Sequence, residues 1–78
     1  MGTIKINYGD SQHIWADGDT LNEVDASATV SLSRGDETEI ELLACDSEQE
    51  ARRVHDALAA RIAYGLGNGE IIVTIEDL

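Results

Sequence analysis

Basic residues are scarce in this sequence, which has five lysines and arginines against sixteen aspartates and glutamates. The formal net charge of −11 over 78 residues exceeds what a small domain needs for solubility. Such a surface repels nucleic acid and anionic membranes, and it attracts cations and basic proteins. The scarcity of positive charge therefore argues against direct nucleic-acid binding and favours a basic protein partner.

Cysteine and long apolar stretches are also nearly missing. Cys45 is the sole cysteine, so no internal disulfide can form and a reducing compartment is the simpler expectation. No apolar stretch approaches membrane-spanning length, and the amino terminus lacks the charged-then-apolar pattern of a secretion signal. Hydrophobic residues still make up 42% of the chain, enough to fold around a core. We therefore expect a soluble, cytoplasmic protein with one domain, residues 1–78.

One segment carries a complete set of helix signals. Ser47 followed by Glu50 is a capping box, in which the hydroxyl accepts a hydrogen bond from an otherwise unpaired amide. Gly65 is a typical residue for a left-handed helix cap. Between them, apolar residues at spacings of three and four define one buried stripe, namely Ala51, Val54, Leu58 and Ile62. The pattern predicts a helix over residues 47–64 that ends at Gly65.

Alternating apolar and polar residues predict five strands. These strands are residues 3–8, 12–16, 25–33, 38–45 and 70–76. In the third and fourth strands the inward side chains are expected to be Ala26, Ala28, Val30, Leu32, Ile40, Leu42 and Ala44. Turn signals at residues 9–10 and 34–37 join neighbouring strands, and Thr20 with Glu23 predicts a single helical turn.

The predicted β-β-β-β-α-β order indicates the α+β class, with a mainly antiparallel sheet and one helix packed on one face. The uncovered face would carry serine, threonine and glutamate side chains together with three large apolar ones, Trp15, Leu43 and Ile72. Large apolar residues on an otherwise polar face are typical of a protein interface. Self-association of two copies through these three residues is therefore one expectation.

A run of four acidic residues is the most informative feature for function, namely Asp36, Glu37, Glu39 and Glu41. Carboxylates on the tip and outer face of a hairpin can imitate the regular negative charge of a nucleic-acid backbone. Such a surface would occupy a basic groove built for DNA or RNA, with Trp15 as an apolar anchor. The plainer interpretation is a solvated face, which includes adaptation to high salt.

Catalytic, metal and cofactor sites are not predicted. Residues 17–25 resemble a calcium loop in composition only, because Asn22 stands where the loop glycine should be. His13, Cys45 and His55 are too scattered to indicate a zinc site. A cysteine with a histidine also lacks the third, orienting group that a nucleophilic site needs. We therefore expect no enzyme activity and no cofactor.

In size, net charge and compact α+β pattern, the chain resembles the small acidic inhibitors that phages and other mobile elements use against host nucleases and CRISPR complexes. The resemblance is one of class and carries no site residues across. It implies a non-enzymatic inhibitor whose partner is a protein with a basic, nucleic-acid-binding surface. The alternative is a homo-oligomeric assembly module with an ordinary acidic surface, as in a protein adapted to high salt.

Overall fold

The computed structural model describes residues 3–78, which form six strands and one long helix. The strands are β1 (Ile4–Tyr8), β2 (Ser11–Trp15), β3 (Thr20–Leu21), β4 (Thr29–Ser33), β5 (Glu39–Ala44) and β6 (Ile71–Thr74). The helix α1 covers Glu48–Asn68, and a short 3-10 helix, Ile75–Asp77, follows β6. The α+β class predicted from the sequence is confirmed. None of the helices within residues 3–78 has the length and apolar character needed to cross a membrane.

The strands form two sheets of three strands each. In the first sheet, β1 is the central strand and pairs antiparallel with β2 and parallel with β6, so that Ile4 lies opposite Ile71. In the second sheet, β4 is central and pairs antiparallel with β3 and β5. The chain therefore leaves the second sheet through α1 and returns to the first sheet, where a single sheet was expected.

The helix covers both sheets and joins them through one core. The predicted stripe of Ala51, Val54, Leu58 and Ile62 is buried, and α1 contacts β4 of the second sheet as well as β1 and β6 of the first. The other buried apolar side chains of this core are Ile4, Ile6, Val24, Ala28, Val30, Leu32, Leu42, Val73 and Ile75. Both sheets thus depend on the same helix face for burial.

The start of α1 was predicted correctly and its end was not. Ser47 Oγ accepts a hydrogen bond from the Glu50 amide at 3.1 Å, which is the first half of the predicted capping box. The second half does not form, because the Glu50 carboxylate pairs with Arg53 and not with the Ser47 N–H. The helix then continues through Gly65 and is capped by Gly69, whose φ is +92° and whose N–H donates to the Gly65 carbonyl. A Cβ at Gly65 would lie 2.7 Å from Ile71 Cδ1. Gly65 therefore allows close helix–sheet packing instead of ending the helix.

The third predicted strand begins later than expected. The Asp25 carboxylate accepts hydrogen bonds from the Ser27 amide at 2.9 Å and the Ser27 hydroxyl at 2.6 Å, a side-chain turn that competes with strand pairing. Ala28 has a φ of +58°, so the chain bends before β4 starts at Thr29. Ala26 is consequently exposed, contrary to the prediction, while Ala28 is buried.

A β-bulge in β5 changes which side chains face the core. Val30 lies opposite Leu43 and Ser31 lies opposite Glu41, so Leu42 is the extra residue between them. Leu42 is buried as predicted, but Leu43 is partly buried against the core and Ala44 is exposed. The prediction that Leu43 faces outward was wrong because the bulge shifts the alternation by one residue.

Two expectations for residues 12–24 were also wrong. Trp15 lies opposite the buried Ile4 in the β1–β2 pairing, and opposite residues share a sheet face. Trp15 is therefore partly buried against the core, where an outward position was expected. Thr20 begins β3, which pairs with β4, so the helical turn predicted from Thr20 and Glu23 does not form.

A buried ion pair connects the two sheets. The Asp19 side chain is only 1% exposed and pairs with Arg34 Nη1, while its Oδ2 atom also accepts from the Ala16 amide at 2.9 Å. Arg34 Nη1 donates to the Ile14 carbonyl of β2 at 2.8 Å. Arg34 follows β4 in the second sheet, so its guanidinium fastens the hairpin of that sheet to the edge of the first.

We expect Gly65→Ala to lower the free energy of unfolding. The added methyl group would crowd Ile71, and overpacking costs about 1–3 kcal/mol, against a gain in helix propensity of about 1 kcal/mol. Gly67 is the matched control, because a Cβ there meets nothing within 4 Å. Gly67→Ala should raise the free energy of unfolding by about 0.5–1 kcal/mol. Urea unfolding followed by circular dichroism measures both, and stabilisation by both substitutions would contradict the packing role of Gly65.

We also expect Asp19→Asn to destabilise the fold, because it leaves Arg34 without its buried counter-charge. Removing one member of a buried pair costs about 3–5 kcal/mol, and partial exposure of Arg34, whose side chain is 25% exposed, should reduce the loss to about 2 kcal/mol. Asp17→Asn changes an exposed carboxylate on the same loop and should stay within about 0.5 kcal/mol. Equal unfolding midpoints in urea for the two variants would show that the pair contributes nothing.

Candidate functional site

The acidic hairpin surface consists of the side chains of Asp36, Glu37, Glu39 and Glu41, which are all exposed. Asp36 and Glu37 lie in the turn between β4 and β5, which is closed by a hydrogen bond from the Arg34 amide to the Thr38 carbonyl at 2.7 Å. Glu39 and Glu41 follow on β5, two residues apart and therefore on the same face. The structure thus brings all four predicted carboxylates onto one hairpin.

The outer face of the second sheet is polar across all three strands. Glu39 lies opposite Ser33, and Glu41 lies opposite Ser31. Asn22, which follows β3, donates to the Ser31 hydroxyl at 3.0 Å and accepts from the Ser33 hydroxyl at 2.8 Å. These hydrogen bonds fix the sheet surface from which the two glutamates project. With a rise of about 3.3 Å per residue, the glutamates are separated by about 6.6 Å along the strand, close to the spacing of successive phosphates in a nucleic-acid strand.

One carboxylate of the acidic hairpin surface is held by the turn itself. The Thr38 amide donates to Asp36 Oδ1 at 3.0 Å, and this hydrogen bond to the backbone lowers the pKa of the Asp36 carboxyl. A lowered pKa means that Asp36 keeps its charge to a more acidic pH than an ordinary aspartate. The hairpin tip therefore carries a fixed negative charge in a defined position.

Positive charge is almost absent from this half of the molecule. Residues 20–46 contain a single basic residue, Arg34, which is directed inward to Asp19. The same segment carries seven exposed acidic residues, namely Glu23, Asp25, Asp36, Glu37, Glu39, Glu41 and Asp46. Arg52 and Arg53 form ion pairs with Glu48 and Glu50 along α1. The second sheet and its loops therefore present uncompensated negative charge.

The three apolar residues proposed for self-association do not come together. Trp15 and Leu43 are partly buried against the core, whereas Ile72 is 62% exposed on the outer face of the first sheet. Ile14 is 50% exposed there, and both isoleucines lie opposite Lys5 in adjacent strand pairs. The exposed apolar side chains of this face are therefore Ile14 and Ile72.

Cys45 does not have the environment of an activated nucleophile. Burial raises the pKa of its thiol, and the negative charges of Glu50 and Asp46 raise it further. A raised pKa reduces the fraction of reactive thiolate, the opposite of what nucleophilic cysteines require. Across residues 3–78, no three side chains of histidine, cysteine, aspartate or glutamate are grouped so that they could hold a metal ion.

A small cavity between the loop after β3 and the helix α1 was missed by the sequence analysis. Its volume is about 280 Å³, and it is lined by Glu23, Val24, Arg52, His55 and Asp56. The helical residues project from one face of α1, because residues three and four apart are neighbours there. No local signal could have indicated the cavity, since it forms only when a loop and a helix far apart in the sequence pack together.

A scan against protein-family models finds no match for this chain, and searches of curated proteins and of solved structures find no similar protein. No function or site residue is therefore carried over from a relative.

Proposed function

We propose that this chain is a non-enzymatic binding protein that presents the acidic hairpin surface to a basic, nucleic-acid-binding groove of another protein. The observation that carries the proposal is the segregation of charge. The second sheet and its loops expose seven carboxylates, while the one cation of that segment is bound inward to Asp19. A surface that is only solvated gains nothing when its one arginine is bound inward. A surface that competes with nucleic acid gains a more uniform negative charge.

The geometry of the hairpin supports nucleic-acid mimicry in particular. Glu39 and Glu41 project from the same face of a hydrogen-bonded strand, and Asp36 is held by the turn. Regularly spaced negative charges on a rigid support can replace phosphates without the loss of conformational freedom that a flexible acidic segment would suffer on binding. The affinity of such a contact depends on salt, because exposed charges are screened over about 8 Å at physiological ionic strength.

The size and charge of the chain also suggest a biological class for it. Small acidic inhibitors of host nucleases and CRISPR complexes, made by phages and mobile elements, share this size and charge. We propose the same kind of anti-defence role here, in the cytoplasm, with a nucleic-acid-handling protein as partner. Trp15 is not available as the apolar anchor in the described conformation, because its side chain packs partly buried against the core.

We expect the double substitution Glu39→Lys and Glu41→Lys to abolish partner capture. The wild-type chain should retain a nucleic-acid-handling protein from a bacterial lysate at moderate salt, identified by mass spectrometry, and a DNA or RNA oligonucleotide should displace it. The variant should bind at least about tenfold more weakly, a difference of about 1.4 kcal/mol. The matched control is Asp10→Lys with Glu70→Lys, which changes the net charge equally at exposed positions outside the second sheet.

Two results would contradict the mimicry proposal. Equal loss of capture in both double variants would show that net charge alone attracts the partner, as expected of an ordinary acidic surface. Capture of miscellaneous basic proteins that are released at moderate salt would lead to the same conclusion. Unfolding midpoints of the wild-type chain and both variants should be measured alongside, so that loss of binding is not confused with loss of fold.

The second candidate function is a homo-oligomeric assembly module, which now rests on Ile14 and Ile72 in place of Trp15 and Leu43. Copies with a net charge of −11 repel one another least where carboxylates are missing, as on the sheet face where these isoleucines lie beside Lys5.

Sedimentation equilibrium at rising protein concentration and moderate salt should then detect a dimer. Replacing both isoleucines by lysine should abolish it, whereas Leu66→Lys, at an exposed position on α1, should not. A wild-type chain that remains monomeric throughout would exclude this function.

A further inference from the structure

The two sheets end in four edge strands, β2, β3, β5 and β6. An edge strand carries a row of N–H and C=O groups that can pair with another chain. On β2 part of this row is already occupied, because the Ile14 carbonyl accepts a hydrogen bond from Arg34 Nη1 at 2.8 Å. The strands β3 and β6 have two and four residues, whereas β5 has six. Within residues 3–78, β5 pairs only with β4, so it is the longest open edge.

The backbone groups of two residues on β5 face this open side. In an antiparallel pair, hydrogen-bonded and non-bonded residue pairs alternate along the strands. The Ser31 carbonyl accepts from the Asn22 amide at 3.0 Å, so Ser31 bonds toward β3 and forms a non-bonded pair with Glu41 on the other side. Glu39, two residues earlier and opposite Ser33, has the same orientation. The N–H and C=O groups of Glu39 and Glu41 therefore point away from β4, and both residues are exposed.

The side chains along this edge determine which chain can pair with it. A second copy is disfavoured, because β5 paired antiparallel with itself would place glutamates directly opposite glutamates, and like charges in that position destabilise a sheet. Lysine or arginine opposite each glutamate is favoured. Between the glutamates, Ile40 lies on the other sheet face and packs partly buried against the core, so an apolar residue opposite it would extend the core. The edge thus selects a segment with the order basic, apolar, basic.

We propose that the open edge at residues 39–41 binds an extended segment of the basic partner as an added antiparallel strand. The inference rests on the proposed function, because it names the element of the partner that lies against the acidic hairpin surface. Main-chain hydrogen bonds to Glu39 and Glu41 align the segment, and the side chains on alternate positions select it, as in other strand additions to a sheet edge. The bulge at Leu42 ends the regular edge, so the contact is limited to a few residues.

The test is an NMR titration of the full chain with the blocked peptide acetyl-Thr-Lys-Val-Lys-Thr-amide at constant ionic strength. We expect exchange of the Glu39 and Glu41 amide hydrogens with water to slow by about tenfold at a peptide concentration about ten times Kd. The Ile40 amide, whose N–H faces β4, should change little. The matched control peptide carries N-methyl groups on both lysine amides, which keeps its charge and removes the two donors that face β5. It should bind at least about tenfold more weakly.

Two substitutions of one residue separate the backbone contribution from the charge. Glu41→Gln removes the negative charge alone and should weaken peptide binding by about threefold. Glu41→Pro also removes the outward N–H, which an edge strand tolerates, and should weaken binding by at least about tenfold.

Three results would overturn the proposal: equal binding of the plain and N-methylated peptides, equal weakening by both substitutions, or unchanged amide exchange at Glu39 and Glu41. The comparison of the two peptides on the wild-type chain remains decisive if Glu41→Pro fails to fold. Because the peptide replaces the partner, this result is independent of capture from a lysate, and the two proposals can fail separately.

Discussion

One helix face has to bury two sheets, and the rest of the structure follows from this constraint. The helix α1 contacts β4 of the second sheet, and near its end it meets Ile4 and Ile71 of the first sheet. At the final turns the sheet approaches so closely that a Cβ at Gly65 would lie 2.7 Å from Ile71 Cδ1. The buried pair of Asp19 and Arg34 fastens the sheets at a separate point. Without both connections, each three-stranded sheet would expose an apolar face to water.

The same connections determine the electrostatic character of the surface. Three of the four arginines form ion pairs, with Asp19, Glu48 and Glu50. The pair of Arg34 holds the sheets together and also removes the only cation from residues 20–46. Structural stability and a uniformly negative hairpin therefore arise from one interaction. The cavity beside β3 repeats this arrangement, because Arg52 is satisfied by Glu48 and leaves the nearby carboxylates uncompensated.

The structural features that depend only on residues close in the sequence were predicted from local sequence signals. The N-cap at Ser47, the stripe of α1 and the turn at residues 34–37 all formed as expected, and so did the exposure of the four hairpin carboxylates. One error was local, because the turn of Asp25 and Ser27 delays the start of β4. The others came from contacts between distant segments. Gly65 is a residue type typical of helix caps, but here it allows close helix–sheet packing. The bulge at Leu42 turns Leu43 toward the core. The cavity could not be predicted, since its two walls meet only in the folded chain.

The parallel pairing of β1 with β6 has a consequence for the order of folding. Ile4 is paired with Ile71, so the first sheet cannot be completed before nearly the whole chain has been synthesised. The hairpins of the second sheet and the helix involve shorter loops, whose closure costs less entropy. Until β6 arrives, β1 and β2 exist as a two-stranded ribbon, which is only marginally stable alone in water. The strands of the second sheet therefore pair across shorter loops, and the first sheet gains its third strand last.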